Sequence, residues 1–151
     1  MNASETLKRD KLNRVRAFYR TRSDALAEKC RKLNADIAEL RRQETEIDAE
    51  IEHQQRHVTA LPPTPIQRML ALQSLQEMAS RKRQIQVQMR STREEFELQR
   101  TALTTLMAKI ESIEKLIERL TGSIALEMRK REQVNADERY LNTHFAKKSL
   151  T

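Results

Sequence analysis

The sequence predicts an all-α fold, a long antiparallel two-helix coiled-coil hairpin with arms of unequal length. Apolar residues recur with a period of about 3.5 in two long runs, and one proline-rich break at residues 62–64 separates the runs. Composition agrees, since aromatic residues make up 3% of the chain, charged residues make up 34%, and there is one glycine. Long helices have this composition, whereas a globular core needs more large apolar side chains and more turns.

The first apolar run predicts a helix over residues 4–61. Its seam consists of positions seven residues apart and a companion set three or four residues away. These positions are Leu12, Tyr19, Leu26, Leu33, Leu40 and Ile47, with Cys30, Ile37, Ile51 and Val58. Ser4 is a candidate N-cap, and Pro62 disfavours helical backbone at the residue before it. Glu44 and Gln54 interrupt the seam, and polar seam residues help to fix the register of a coiled coil.

The second run predicts a helix over residues 65–148. Thr64 can cap it, Pro65 suits the first helical position, and Gln67 can close a capping box. The seam then continues through Leu75, Met78, Ile85, Met89, Phe96, Leu103, Leu106, Ile110, Ile113, Ile117, Leu120 and Ile124. Because the first helix is shorter, we expect residues beyond about 122 to overhang. Gly122 suits either a surface position in a continuous helix or a flexible joint, and the sequence leaves both open.

Charge blocks favour pairing of the two helices within one chain. The net charge is +7, yet residues 79–93 carry five basic side chains and no acidic one. A hairpin places this run beside residues 34–48, which hold Asp36, Glu39, Glu44, Glu46 and Asp48. It also places the basic N-terminal run beside Glu95, Glu97, Glu111, Glu114 and Glu118. An in-register parallel homodimer would instead oppose like charges, so the hairpin is the expected arrangement.

No sequence pattern predicts catalysis, a cofactor site or a metal site. The chain lacks a Gly-rich phosphate loop, a CxxC pair and a catalytic triad pattern. His53 and His57 have the spacing of two metal ligands, but no third ligand is evident, so we interpret them as solvent-facing. Cys30 is the single cysteine, and we interpret it as a small seam residue of a protein in a reducing compartment. We therefore expect a non-enzymatic protein.

The sequence also predicts a cytoplasmic location. No apolar run approaches the ~18–20 residues needed to span a membrane. The first residues contain no apolar stretch of signal-peptide length. We therefore expect no direct membrane insertion.

The start of the second helix is more apolar around its circumference than a two-stranded coiled coil requires. The apolar residues are Ile66, Met69, Leu70, Leu72 and Leu75. They cannot all face one partner helix. Either they pack against the turn at Leu61, or they form an apolar surface for a second protein, and the sequence leaves both open.

Four local stretches carry a family resemblance. They are residues 12–20 (LNRVRAFYR), 71–77 (ALQSLQE), 131–133 (REQ) and 137–140 (DERY). Together with two unequal antiparallel helices and a proline-broken tip, they resemble the FliJ/YscO (SctO-like) family, the coiled-coil stalks of type III secretion and flagellar export ATPases. The tip lacks the aromatic residues often seen in flagellar members, so the chain is more similar to the injectisome branch.

The resemblance implies a central stalk similar in shape to the γ shaft of rotary ATP synthases. The end with both termini would enter a hexameric export ATPase, and the tip residues 66–75 would contact an export-gate membrane protein. The implied ring contacts are Arg14, Arg16, Arg20, Arg129, Lys130, Arg131, Arg139, Tyr140 and Phe145. Export chaperones are further implied partners, and the implied location is peripheral to the inner membrane. The sequence leaves open whether the protein is itself secreted.

Two other functions compete with the stalk interpretation. A structural coiled-coil scaffold or tether could self-assemble through the overhanging tail. A nucleic-acid binder could use the arginine-rich N-terminal helix, but acidic blocks lie alongside and no set of base-stacking aromatic residues accompanies the arginines. We therefore expect no nucleic-acid partner. Co-purification with a hexameric ATPase, with other coiled coils or with nucleic acid would distinguish the three.

Overall fold

The computed structural model describes residues 2–60 and 64–149 of the chain. Two long helices, α1 (Asn2–Ala60) and α2 (Pro65–Ser149), account for nearly all of these residues. No strand occurs in these two ranges, so the predicted all-α class is confirmed. Of the predicted turn, only Thr64 is described, and it is not helical; the predicted helix end at Leu61 lies outside the described residues.

The start of α2 confirms the predicted capping box. The backbone N–H of Gln67 donates to Thr64 Oγ1 at 3.3 Å, and the backbone N–H of Thr64 donates to Gln67 Oε1 at 3.2 Å. The reciprocal pair satisfies two backbone donors that the first turn of a helix otherwise leaves open. A third bond, from Arg68 N–H to Thr64 O at 3.0 Å, continues the helical pattern.

The start of α1 differs from the prediction. Ser4 was the expected N-cap, but α1 already begins at Asn2, so Ser4 lies in its first turn and the prediction is wrong. Neither glycine nor proline precedes Ser4, and serine itself is only a moderate helix former, so nothing in this stretch forces the helix to begin later.

The chain divides into two compact units, each of which takes a segment from both helices. The turn unit is Asp24–Thr104, and the terminal unit combines Met1–Ser23 with Thr105–Thr151. Within both units the apolar seam follows the sequence prediction. Every described seam position from Leu12 to Ile124 is buried or half-buried, including Cys30.

A small apolar cluster forms the core of the turn unit. Ile47, Ile85 and Met89 are buried, and Leu40 and Ile51 pack against them. The three residues come from both helices, on positions that the heptad pattern predicts to face each other. Val87 lies between Ile85 and Met89 in sequence but points outward, with 65% of its surface exposed. The alternation shows how narrow the buried face of α2 is.

Polar contacts in the turn unit fix the antiparallel register. The Lys82 ammonium lies 2.6 Å from Asp48 Oδ1, and Gln54 Nε2 donates to Ser74 Oγ at 3.4 Å. As the position on α1 rises from 48 to 54, its partner on α2 falls from 82 to 74, which is the signature of antiparallel helices. The Lys82 pair also joins the basic run of α2 to the acidic block of α1, as the charge pattern predicted.

The terminal unit shows the same polarity. The Arg20 guanidinium pairs with the Glu114 carboxylate, and Ser123 Oγ lies 3.4 Å from Glu5 Oε1. Ile117 and Ile124 are the buried apolar residues of this unit. The first turns of α1 therefore lie beside residue 123 of α2.

The other ion pairs among the described residues form within one helix rather than between helices. Arg42 pairs with both Glu39 and Glu46, at 2.5 Å each. Hydrogen bonds from Arg42 and then Gln43 lower the pKa of Glu39. Residues three or four apart on one helix are neighbours, so these carboxylates find a partner without reaching across. The charge blocks therefore predict the register but not the individual pairs.

The core cluster predicts a sharp contrast between neighbouring positions of α2. Met89→Ala removes a buried side chain, so we expect the free energy of unfolding to fall by about 2–4 kcal/mol. Val87→Ala, two residues earlier on the exposed face, should change it by less than about 0.5 kcal/mol. Urea denaturation followed by circular dichroism measures both. Equal losses at the two positions would contradict the described burial.

The Lys82–Asp48 pair predicts a charge-swap rescue. Lys82→Glu should lower the melting temperature, because like charges then meet Asp48 and Glu44. Adding Asp48→Lys should restore most of the loss. Arg81→Glu, at an exposed neighbouring position, serves as the matched control and should have little effect. Failure of the second substitution to rescue the first would show that these helices pair in another register.

The same pair predicts a loss of stability at alkaline pH. The hydrogen bond with Asp48 raises the pKa of Lys82 above its ordinary value of 10.5. A raised folded-state pKa means that the contribution of the pair is complete below 10.5 and disappears as pH rises through the raised value. The melting-temperature difference between the natural chain and Lys82→Met should therefore be constant from pH 7 to about 9 and shrink above about 10.5.

Candidate partner-binding surfaces

The tip surface comprises the apolar residues at the start of α2, which are Ile66, Met69, Leu70, Leu72 and Leu75. The first four expose between 60% and 72% of their surface. Leu75 differs from them, since it occupies a seam position and is half-buried. Of the two alternatives that the sequence left open, the structure favours an exposed apolar surface, while the position of Leu61 lies outside the described residues.

The exposure of the tip surface follows from its sequence. Four apolar residues lie within seven positions of one helix, so a single neighbouring helix can cover only one side of them. From Thr64 to Gln76 the only charged residue is Arg68. A groove of about 330 Å³ runs along one flank of the tip surface. Its lining residues are Gln54, His57, Val58, Gln67, Leu70, Ala71 and Ser74. A mostly uncharged, exposed apolar patch with a polar rim is typical of protein-binding sites.

The tail segment, residues 128–145 of α2, is the second candidate surface. All of its side chains are exposed. Four of the basic residues expected to contact a ring lie here, together with Tyr140 and Phe145. The basic set is Arg129, Lys130, Arg131 and Arg139. The Tyr140 ring stacks on His144, one helical turn later, with centroids 6.0 Å apart and planes 6° from parallel. The tail segment is therefore a cationic helix with exposed rings.

One face of the tail segment is apolar. Val134, Leu141 and Phe145 are spaced by seven and four residues, so they share one side of the helix, and 49% to 65% of each is exposed. Residues beyond about 122 were expected to overhang, but Ile124 is only 8% exposed. That expectation is wrong, because Ile124 still lies beside the first turns of α1. The stretch of α2 in which every side chain is exposed therefore begins after Glu127, which is half-buried.

The three arginines predicted on α1 lie in different environments. Arg14 is exposed, Arg16 is half-buried, and Arg20 pairs with Glu114. Arg16 occupies the seam side of α1, and an arginine there can lay its aliphatic stem along apolar surface while its charge stays in water. The positive charge of Arg20 is partly balanced by the Glu114 carboxylate of the same chain. Arg14 is thus the arginine of the three that is most available to a partner.

Gly122 does not interrupt α2. It has no positive φ, and the helix continues to Ser149. A Cβ added to it would meet nothing within 4 Å. The geometry agrees with a surface position in a continuous helix rather than with a joint.

The remaining polar features of the described residues include two exposed histidines and one large concavity. His53 and His57 are both exposed, and no cluster of three or more His, Cys, Asp or Glu side chains could hold a metal ion. A concavity of about 1120 Å³ in the turn unit is lined by ten residues, six of which are arginine or glutamate. Neither helix, over its described length, has a segment apolar enough to cross a membrane.

A third surface escaped the sequence analysis. The α1 stripe consists of exposed apolar and basic residues on the outer side of α1, away from the seam. Its members are Leu7, Lys8, Lys11, Arg14, Val15, Phe18 and Arg22. The signal was present as a second helical periodicity out of phase with the seam, but the strong seam pattern concealed it.

No protein-family model matches the chain, and no curated protein or solved structure matches it significantly. The resemblance to the FliJ/YscO family therefore stays a prediction.

The tip surface predicts substitutions that spare the fold. Met69→Ser with Leu72→Ser should lower the free energy of unfolding by no more than about 1 kcal/mol, because both side chains are already in water. Leu75→Ser changes a half-buried side chain in the same part of α2 and should lower the free energy of unfolding by at least about twice as much. Thermal unfolding measures both. A large loss of helicity in the double variant would show that these side chains belong to the core.

Proposed function

We propose that the chain is the non-enzymatic central stalk of an injectisome-type export ATPase. The terminal unit would enter the hexameric ring and promote its assembly and activity, and the tip surface would contact an export-gate membrane protein. In this role the protein works on the cytoplasmic side, peripheral to the inner membrane.

The exposed tail segment is the observation that carries this proposal. Its helix continues for more than twenty residues beyond Ser123, which lies beside Glu5 near the start of α1. Exposed apolar surface costs about 25 cal/mol per Å² relative to burial, so the face of Val134, Leu141 and Phe145 favours a partner. Isolated helices also gain most of their stability from packing. A partner that surrounds the tail segment would bury its apolar face and would also pack against its helix.

Charge supports a ring with an acidic lining. Arg129, Lys130, Arg131 and Arg139 are exposed, and positive surface attracts an acidic partner and accelerates the encounter. Exposed charges of this kind contribute more to the association rate than to the final affinity.

The unlike faces of the chain also suit a stalk. A ring of identical subunits around the terminal unit would meet a different surface on each side of that unit, so only some subunits would be engaged at a time. The terminal unit has a cationic apolar stripe on α1 and a separate apolar face on the tail segment. The tip surface, in the other unit, supplies an uncharged apolar contact of the kind that protein interfaces use at their centre.

Self-assembly through the tail segment is the second candidate function. The same face of Val134, Leu141 and Phe145 favours it, because a second copy can bury an exposed helical stripe. A scaffold or tether would then form without an ATPase. Sedimentation of the full chain over a range of concentrations separates the two, since self-assembly predicts concentration-dependent oligomers.

The stalk proposal predicts that the tail segment is required for stimulation of the ATPase. Deleting residues 128–151 should abolish stimulation of ATP hydrolysis and of ring assembly by the chain. The melting temperature should stay nearly unchanged, because the buried residues end at Ile124. The measurement is the hydrolysis rate of the export ATPase against added stalk.

A charge-reversal variant provides the matched control. Arg129→Glu with Arg131→Glu keeps the helix and the apolar face, so it should slow association most at low salt and leave thermal stability unchanged. Full stimulation by the truncated chain would rule out the tail segment as the ATPase contact. Concentration-dependent oligomers that disappear on truncation, without any effect on the ATPase, would favour the scaffold.

A further inference from the structure

The α1 stripe combines exposed apolar and basic side chains on one line of the helix. Leu7, Val15 and Phe18 expose 52%, 40% and 58% of their surface. Lys11, Arg14 and Arg22 lie between or beside them on the same side, at spacings of three or four residues. At 1.5 Å per residue, the stripe extends over about 23 Å, the length of four helical turns.

The basic side chains of the stripe have no ion-pair partner among the described residues. None of the salt bridges in residues 2–60 and 64–149 involves Lys8, Lys11, Arg14 or Arg22. Asp10, which precedes Arg14 by one helical turn, also forms none. The stripe therefore presents four available positive charges, in contrast to Arg20, which pairs with Glu114.

A preformed aromatic–arginine contact lies within the stripe. The Arg22 guanidinium carbon is 5.7 Å from the centre of the Phe18 ring, and the centres of the Phe18 and Tyr19 rings are 5.8 Å apart. A cation over an exposed ring holds both side chains in place at little cost. Aromatic and arginine side chains are also the residues that most often dominate binding energy at protein interfaces.

We propose that the α1 stripe is a docking surface for an acidic amphipathic helix of a partner protein. Such a helix would place its apolar side chains against Leu7, Val15 and Phe18. Its carboxylates would flank them, opposite Lys11, Arg14 and Arg22. The pairing repeats the logic of a coiled coil, in which an apolar line gives affinity and flanking charges select the partner.

The arrangement of the stripe favours a helix over a lipid surface or a nucleic acid. Helices that lie on membranes separate an apolar face from a basic face, whereas here the two kinds of side chain alternate on one face. Nucleic-acid phosphates would match the positive charges but leave Leu7 and Val15 against a polar backbone. The proposal follows from α1 alone and requires neither the tail segment nor an ATPase.

The test uses the full chain and a defined probe. The probe is a fluorescent helical peptide of about 16 residues, the length of the stripe, with leucines on one face and glutamates on both flanks. A second peptide has glutamine in place of every glutamate. Vesicles that contain phosphatidylserine and a single-stranded DNA oligonucleotide are measured in parallel.

We expect the acidic peptide to bind and the glutamine peptide to bind at least about tenfold more weakly. Lys11→Glu with Arg14→Glu should weaken the acidic peptide at least about tenfold, and Phe18→Ala should weaken it severalfold. Arg81→Glu with Arg90→Glu makes the same change of net charge on exposed positions of α2 and should have no effect. Amide chemical-shift changes should centre on residues 7–22.

Several results would overturn the proposal. These are the absence of peptide binding, an equal loss in the α2 control variant, and shift changes outside residues 7–22. Tighter binding to the vesicles or to the DNA than to the peptide, lost in Lys11→Glu with Arg14→Glu, would assign the stripe to that ligand instead. All substituted side chains are exposed, so circular dichroism should show an unchanged fold in each variant.

Discussion

The structure depends on one constraint, which is that each helix has only one other helix to pack against. A two-helix layer can bury a single narrow face of each member, so all other side chains remain in water. Even the best-buried residues here, such as Ile47 and Met89, retain 5% of their exposure. The free energy of folding is therefore a sum of small contributions along the seam. Because these contributions require the two apolar faces to be aligned, the sequence must specify the register of the helices.

This constraint also determines which surfaces of the helices are open to a partner. The pKa shifts of Glu39 and Lys82 both come mainly from side-chain hydrogen bonds, while burial acts in the opposite direction. The three candidate surfaces lie on the outer faces of the helices. The tip surface, the tail segment and the α1 stripe differ in charge and in apolar content, so they suit different partners.

Most of the fold could be predicted from the sequence because periodicity and capping are local signals. The seam from Leu12 to Ile124 and the capping box at Thr64 need only residues within a few turns. The sites were harder to predict, because exposure depends on where the partner helix ends and on which ion pairs form. Arg16 and Arg20 illustrate this, since one is half-buried and the other is engaged by Glu114. Periodicity alone also gave no measure of how far the Ile124 side chain is covered.

The sequence separation of the contacts has a consequence for how the chain folds and opens. Gln54 and Ser74 are 20 residues apart in the chain, whereas Glu5 and Ser123 are 118 apart. Closing a short loop loses less entropy than closing a long one, so the helices pair first near their connection and then zip outward. Each further helical turn can then pair once the turn before it has paired. We therefore expect the contacts between the first turns of α1 and residue 123 of α2 to form last and open first, so a partner would separate them most readily.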